Sequence, residues 1–461
     1  GHRNADGSPQ GDAHRTVVAK LGLELFVNQR GGRTTGGGAW VSLGTRGDAS
    51  QLWWDNVLAV DPFDPGVILT GQQELYRTGD GGATWSTVAT YYSPHEDQQS
   101  LVFDPANRGV AYLSNDGGVF RSTDSGRTWY VEGADVATEI ASGRSLVKGL
   151  VTAEFYKVGV QFDAAVGNLY HSGIIGSTAI GGSQWAGIEG HAWEFRSVYS
   201  DPRRVGRFYV FHGALGRRRF PGTGNSDFVN FGEFTPYDAV GALAVDTRPG
   251  SNIILVCAIP TAGSDRSRLM MTTEGDREPR VLADGTVVDQ PAWTVALEVA
   301  GDAVASVRFA PATPGTAYAM SAGGRVFRKD DIDAADAWAE QGRWAVGGVL
   351  QMAVNALHSE RLYAITQRRF ARSTNGGTDW TETAAASLPP SEFHSLIAHP
   401  TVPEILFLGA TVGVFASHDE GRTWAAYDEG LPNAAVQQIF TNGSYLYAIT
   451  HGRGLWRRQL C

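Results

Sequence analysis

Apolar and polar positions recur along this chain in one arrangement. An apolar stretch ends in Asp-Pro, a Pro/Gly turn follows, a second apolar stretch leads to a few small residues, and a third runs into a polar box closed by tryptophan. The segments "VLAVDPFDPGVILTGQQELYRTGDGGATW" and "SLVFDPANRGVAYLSNDGGVFRSTDSGRTW" carry it completely, and "IAHPTVPEILFLGATVGVFASHDEGRTW" repeats it near the other end. Short apolar runs bounded by turn formers predict strands, so each unit reads as four antiparallel strands, A to D.

The boxes are Thr78-Gly79-Asp80-Gly81-Gly82-Ala83-Thr84-Trp85, Ser122-Thr123-Asp124-Ser125-Gly126-Arg127-Thr128-Trp129, Ser373-Thr374-Asn375-Gly376-Gly377-Thr378-Asp379-Trp380 and Ser417-His418-Asp419-Glu420-Gly421-Arg422-Thr423-Trp424. Trp85 and Trp129 are 44 residues apart, and so are Trp380 and Trp424. A fixed period of this length means an array of supersecondary units. Within a box the Asp carboxylate is suited to accept turn amides, Gly supplies a φ that other residues resist, and Trp packs the sheet. Asn375 stands where the other copies have Asp80, Asp124 and Asp419, which a turn tolerates and an acid catalyst does not. The boxes are therefore structural.

Weaker copies fall around Phe155 to Trp185, Phe195 to Phe231, Ala242 to Trp293, Val304 to Trp338 and Met352 to Trp380. The last unit, "IFTNGSYLYAITHGRGLWRR", supplies three strands, and an orphan strand near residues 40–43 is expected to complete it, removing exposed edges. The expected fold is all-β: a single large β-propeller of four-stranded antiparallel blades over residues 15–461, after a tail at 1–14. The count is nine, with eight or ten also compatible.

The boxes resemble the Asp-box, or bacterial neuraminidase repeat, found in sialidases, two-propeller xyloglucanases, sortilin-type receptors and photosystem II assembly propellers. The resemblance implies that the box is a turn between strands C and D. Three implied features are missing here: the Phe/Tyr-Arg-Ile-Pro signature of sialidases, the second propeller of the xyloglucanases with its own catalytic aspartate, and the cysteine-rich modules that follow the receptor propellers.

In a four-stranded antiparallel blade, A–B and C–D connections share one face, and B–C and D–A connections share the other. The boxes and Asp-Pro turns thus lie together, and the opposite face carries different residues. Its D–A loops and strand-A starts include Trp53, Trp54, Asp55, His95, Glu96, Asp97, Gln98, Tyr156, His191, Trp193, Glu194 and His394. Its B–C loops include Gln73, Glu74, Asp116, Arg368, His451 and Arg453. These side chains are expected to line a polar, aromatic-walled depression.

Three function classes fit such a face. Recognition of an extended saccharide or peptide uses Trp53, Trp54 and Trp193 as stacking platforms, with Gln73, Glu74, His95, Gln98, Tyr156, His191, Arg368, His394, His451 and Arg453 fixing orientation. Glycoside hydrolysis needs two carboxylates, for which Asp55, Asp97, Asp116 and Glu194 are the candidates. A structural role in a larger extracytoplasmic assembly is the third. Against each stands a plain structural use: tryptophans that pack blades, Asn115-Asp116 as a tight turn, histidines satisfied by carbonyls.

Composition narrows the partners. A net charge of −10 argues against nucleic acid, and no apolar run approaches a membrane span. The two cysteines, Cys257 and Cys461, have neither disulfide nor metal-ligand spacing, and no phosphate loop, zinc-protease helix, nucleophile elbow or calcium loop is present, so no metal or cofactor is expected. "KDDIDAAD", from Lys329 to Asp336, reads as a solvated C–D loop. The start at Gly1 fits a processed mature chain, and an extracellular or periplasmic location is expected.

Overall fold

The structure is a computed structural model that describes residues 17–28, 40–47, 55–90, 94–116, 118–129, 155–161, 164–169, 173–177, 186–189, 197–204, 206–212, 214–219, 228–232, 237–260, 268–277, 280–281, 287–383, 387–451 and 453–460. No helix occurs among them. The chain falls into two compact units, Gly1–Ala153 and Glu154–Cys461.

The first unit holds three antiparallel sheets. They are β1 to β3 (Val17–Leu21, Glu24–Asn28, Val41–Thr45), β4 to β7 (Val57–Val60, Ile68–Gly71, Leu75–Thr78, Ser86–Ala89), and β8 to β10 (Gln98–Phe103, Ala111–Asn115, Gly118–Ser122). The second and third sheets meet in a core of Val57, Leu69, Leu75, Phe103, Leu113, Phe120 and Trp129. Each buried side chain of this kind contributes roughly 1.5–3 kcal/mol.

The strand expected near 40–43 exists as β3, but its hydrogen-bonded neighbour is β2, with Val27 opposite Val41 and Phe26 opposite Ser42. β2 lies close upstream in the chain and pairs at little loop-closure cost. Residues 17–28 thus form a hairpin that the repeat template did not anticipate, and three sheets rather than two stand in this unit.

Among the described residues the second unit carries seven sheets of three or four strands and one two-stranded ribbon. In chain order they are β11 to β14 (Phe155–Gln161, Ala164–Leu169, Gly173–Ser177, Ala186–Glu189), β15 to β18 (Ser197–Ser200, Arg207–His212, Ala214–Arg219, Phe228–Gly232), and β19, β20, β21 and β24 (Tyr237–Val245, Ile254–Pro260, Arg268–Thr272, Thr294–Glu298), with the ribbon β22–β23 (Arg280–Val281, Val287–Val288) inserted. Then come β25 to β28 (Val304–Phe309, Ala317–Ser321, Arg325–Lys329, Ala339–Arg343), β29 to β32 (Val349–Val354, Leu362–Thr366, Phe370–Ser373, Thr381–Glu382), β33 to β36 (Phe393–Ala398, Leu406–Ala410, Gly413–Ser417, Ala425–Ala426) and β37 to β39 (Val436–Asn442, Tyr445–Thr450, Gly454–Gln459). The weaker copies of the repeat each became one sheet.

First strands of consecutive sheets pack on one another from β11 through β15, β19, β25, β29 and β33 to β37, and β37 and β38 pack back on β11. The succession of sheets in this unit is circular. Second strands are covered on both faces: every residue of β26, β30 and β34 is buried, which explains their unbroken apolar runs. Fourth strands are mostly exposed.

Polar side chains stitch neighbouring first strands together. The Met352 N–H donates to Ser306 Oγ at 3.2 Å, the Leu396 N–H to Gln351 Oε1 at 3.0 Å, and Ser395 Oγ to the Ile439 carbonyl at 3.4 Å. Such bonds cross three successive sheet boundaries.

The boxes are turns, as their composition requires. In the second, Ser122 Oγ donates to Asp124 Oδ1 at 2.8 Å and accepts the Gly126 N–H at 2.8 Å, while Asp124 Oδ1 accepts the Thr128 N–H at 2.9 Å and Oδ2 its hydroxyl at 2.7 Å. Asp80 and Asp419 make the same bonds to Thr84 and Thr423. These bonds hold the Asp80 carboxyl below its ordinary range, and the Asp124 and Asp419 carboxyls also lie low because the same kind of bonds outweigh burial. Gly126 has φ +77°, and a Cβ there would lie 2.6 Å from Leu69 of the neighbouring sheet. Both the turn and the close approach require glycine.

A–B turns follow a parallel rule. Asp61, Asp104, Asp201, Asp246, Asn355 and His399 each end a first strand and accept a backbone N–H two residues on. The turns meet the boxes directly: Ser125 N–H donates to the Gly109 carbonyl, Gly376 N–H to Glu360 and Glu420 N–H to Glu404. "KDDIDAAD" is less solvated than its charge suggests, because Lys329 is buried and ion-paired to Asp336 and Ile332 joins the core. Cys257 is buried as a free thiol.

Candidate functional site

The topology that puts boxes and A–B turns together gathers the other loops as well. In the first unit the Gln98 N–H donates to the Gln72 carbonyl at 2.8 Å and the Asp97 N–H to the Gln73 carbonyl at 3.2 Å, pinning the loop before β8 against the β5–β6 turn. Gln98 Nε2 reaches the carbonyls of Gln73 and His95, each at 2.8 Å, and Asn115 Nδ2 reaches His95 O and Gln98 Oε1, each at 3.2 Å. Gln73, His95 and Gln98 therefore brace the loop. Glu74 accepts a hydrogen bond from the Tyr76 hydroxyl at 2.7 Å.

This bracing brings four carboxyls together. Asp55, just before β4, is fully enclosed, and Asp97 is 3% exposed with φ +60°. Aspartate tolerates that left-handed conformation better than most side chains, and such strain clusters where a side chain must be aimed. Burial and the charge of the neighbouring Asp97 carboxyl push Asp55 up to about 6. Glu96 is half-buried, and burial followed by the charges of Asp97, Asp116 and Asp55 pushes it up to about 7. Lys20 on β1 is the cation of the group. Burial lowers its ammonium to about 8 against the opposing pull of Asp55, and it donates to the Gly71 carbonyl at 3.3 Å.

With their proton affinities raised, Asp55 and Glu96 hold a proton closer to neutral pH than ordinary carboxyls do. That is the condition for donating a proton or a neutral hydrogen bond to a ligand oxygen. Among the described residues no group of histidine, cysteine or acidic side chains has the geometry of a metal site.

No protein-family model matches the chain, and no curated protein matches it in sequence. Among solved structures it is similar to a GH74 enzyme of Niastella koreensis, at 15% identity over 96% of this chain and 82% of that one with a TM-score of 0.35. It is also similar to YCF48 bound to D1 peptide, at 15% identity over 82% of this chain and 98% of that one with a TM-score of 0.34. The site is read from its own residues.

Three of the four acids expected from loop topology, Asp55, Asp97 and Asp116, are brought together. Glu194, with Trp53, Trp54, His191 and Trp193, lies outside the described residues, and so does the side chain of Tyr156 on β11. In the second unit the expected residues are dispersed. Arg368 is exposed and pairs with Glu392 at 3.4 Å, His394 lines a cavity among the first strands, and His451 contacts Gln437 at 3.4 Å. Arg453 is exposed in the β38–β39 turn, where its carbonyl accepts Trp456 Nε1.

Lys20 is the member that the loop reading left out of the site, and Glu96, placed on the same face, was not counted among its acids. Glu96 sat in plain view between His95 and Asp97. Lys20 carried one signal: it is one of four lysines in a chain whose positive charge is otherwise arginine.

Proposed function

We propose that the protein is a propeller-type binding protein whose first unit holds an extended saccharide or peptide at the carboxyl group formed by Asp55, Glu96, Asp97 and Asp116. The circular succession of three- and four-stranded sheets in the second unit supports the propeller reading. The observation that carries the binding role is the convergence of four carboxyls from three separate loops, braced by the amides of Gln98 and Asn115. Hydroxyl-rich or amine-bearing ligands match such a site, since carboxylates accept from both. An extracytoplasmic setting, where polysaccharides and exposed peptides are met, accords with this role.

A second reading, glycoside hydrolysis, is favoured by one observation. Glu96 is half-buried with its proton affinity near neutrality, as a general acid requires, and Asp97 and Asp116 are the carboxylates available to act with it.

A glycan and polysaccharide panel scored for retention and for reducing-sugar release separates the readings. Retention by wild type that drops in Asp97→Asn supports binding. Release that is abolished in Glu96→Gln while retention persists supports hydrolysis. Silence in both assays, with a protein-array partner lost in Asp97→Asn, moves the site to peptide recognition.

A further inference from the structure

The second unit contains a cavity of about 650 Å³ among its first strands, within the range of small-molecule sites. Its wall includes Tyr199, Arg308, Gln351, His394, Gln438 and Phe440. Arg308 stands on β25, and one hydrogen bond is recorded for its guanidinium, from Nη1 to the Val307 carbonyl at 2.8 Å. A guanidinium has five N–H donors, so most of its capacity is unspent.

No described carboxylate forms an ion pair with Arg308. The acid of the same lining, Asp246, is already held by Arg248 at 2.6 Å. The groups that interact electrostatically with Arg308 are Tyr199 and Cys257, a phenol and a thiol, both uncharged at neutral pH. The Cys257 thiol is pushed up to about 12 by burial. Burial also lowers the Arg308 guanidinium, which stays charged all the same. A cation taken out of water without a counter-charge is unfavourable, and an anion entering the cavity relieves it.

Gln438, on β37, supplies the second anchor. Its Oε1 is buried and accepts no hydrogen bond. By contrast Gln351 and Ser395 in the same wall are committed to the bonds that stitch neighbouring strands. A ligand suited to this wall presents an oxyanion to one side and a hydroxyl donor to the other, with carbon between them against Phe309, Leu350 and Phe440.

We propose that this cavity binds a small hydroxycarboxylate, its carboxylate on the Arg308 guanidinium and a hydroxyl donating to Gln438 Oε1. The planar fork of arginine matches a carboxylate in two parallel bonds. The proposal is independent of the carboxyl site in the first unit.

Calorimetric titration of the full chain with D-gluconate, and with D-glucose as its uncharged counterpart, tests it. Saturable gluconate binding is expected, at least tenfold tighter than glucose and weakened at least tenfold in Arg308→Gln. The Arg308→Gln protein is expected to melt no lower than wild type, because the substitution removes a half-buried charge that no described carboxylate balances. Gln438→Leu is expected to lose gluconate affinity several-fold while keeping its preference over glucose. Absence of gluconate binding to wild type, equal binding of glucose, undiminished binding in Arg308→Gln, or unfolding of that variant would each overturn the assignment.

Discussion

Asp55 and Asp97 bury their carboxyls in one another's field, the first fully enclosed and the second 3% exposed. Two carboxyls in that relation do not both ionise readily. The folded state therefore keeps a proton that the unfolded chain releases. Asp55 rises from 3.8 to about 6 and Glu96 from 4.5 to about 7, so native protein binds more protons between those limits. The sign follows: their stabilisation is complete below about pH 4 and is lost as pH rises through 6 to 7. Asp55 alone accounts for about 3 kcal/mol of this. The boxes act in the opposite sense but lower on the scale, since Asp80, Asp124 and Asp419 are depressed.

Thermal melting is accordingly expected to fall between pH 4.5 and 7.5, and Asp55→Asn is expected to flatten that slope and raise Tm at pH 7.5. A wild-type Tm that climbs over the same interval contradicts the buried pair.

The third box changes two residues in concert. Where the others set Asp against a threonine hydroxyl, Asn375 Nδ2 donates to Asp379 Oδ2 at 2.8 Å. The donor and acceptor have exchanged places. Asn375→Asp places two carboxylates in contact and should cost about 1–2 kcal/mol. Adding Asp379→Thr should restore most of that loss. Denaturant titration of the single and double variants decides it, and a double variant no better than the single one refutes the exchange.

Gly421 and Gly430 both have left-handed φ, +83° and +82°, but differ in what surrounds them. A Cβ on Gly421 would meet the Phe370 ring at 2.3 Å, whereas nothing lies within 4 Å of one on Gly430. Gly430→Ala is expected to cost about 1 kcal/mol for the backbone alone, and Gly421→Ala at least twice as much. Equal losses, read from chemical unfolding, would mean that the box does not press on the neighbouring sheet as described.

Glu96 owes its raised proton affinity first to burial and then to Asp97, Asp116 and Asp55. On the proposed binding role, Glu96→Gln should weaken a retained ligand about tenfold and remove the pH dependence of its affinity between pH 6 and 8. Affinity profiles of wild type and variant that superimpose across that range would detach Glu96 from the site.

Much of this arrangement was legible beforehand because it is local. The turn in Ser122 to Trp129 closes through bonds spanning two to four residues, so composition alone identifies it, and the same holds for Asp61, Asp104 and Asp246 in their A–B turns. The loop face followed from strand alternation, which placed Asp55, Asp97 and Asp116 on the same side of their sheets. Residues 17–28 were missed because their hairpin lacks the Asp-Pro signal of the repeat, and the burial of Lys329, paired with the exposed Asp336, was hidden inside a run of acids.

The sequence by itself determined the all-β character, the period, the turns and the side of each sheet on which chemistry-bearing loops emerge. Those features depend on bonds within a few residues and on a side-chain period of two. Tertiary structure alone decided that Asp55 lies against Asp97, that Lys20 joins them from β1, and that Arg308 stands in a cavity beside Gln438. These are relations between side chains far apart in sequence, set by how sheets stack. Their consequence, a shifted proton or an unbalanced charge, arises from burial, which no single strand possesses before its neighbours are in place.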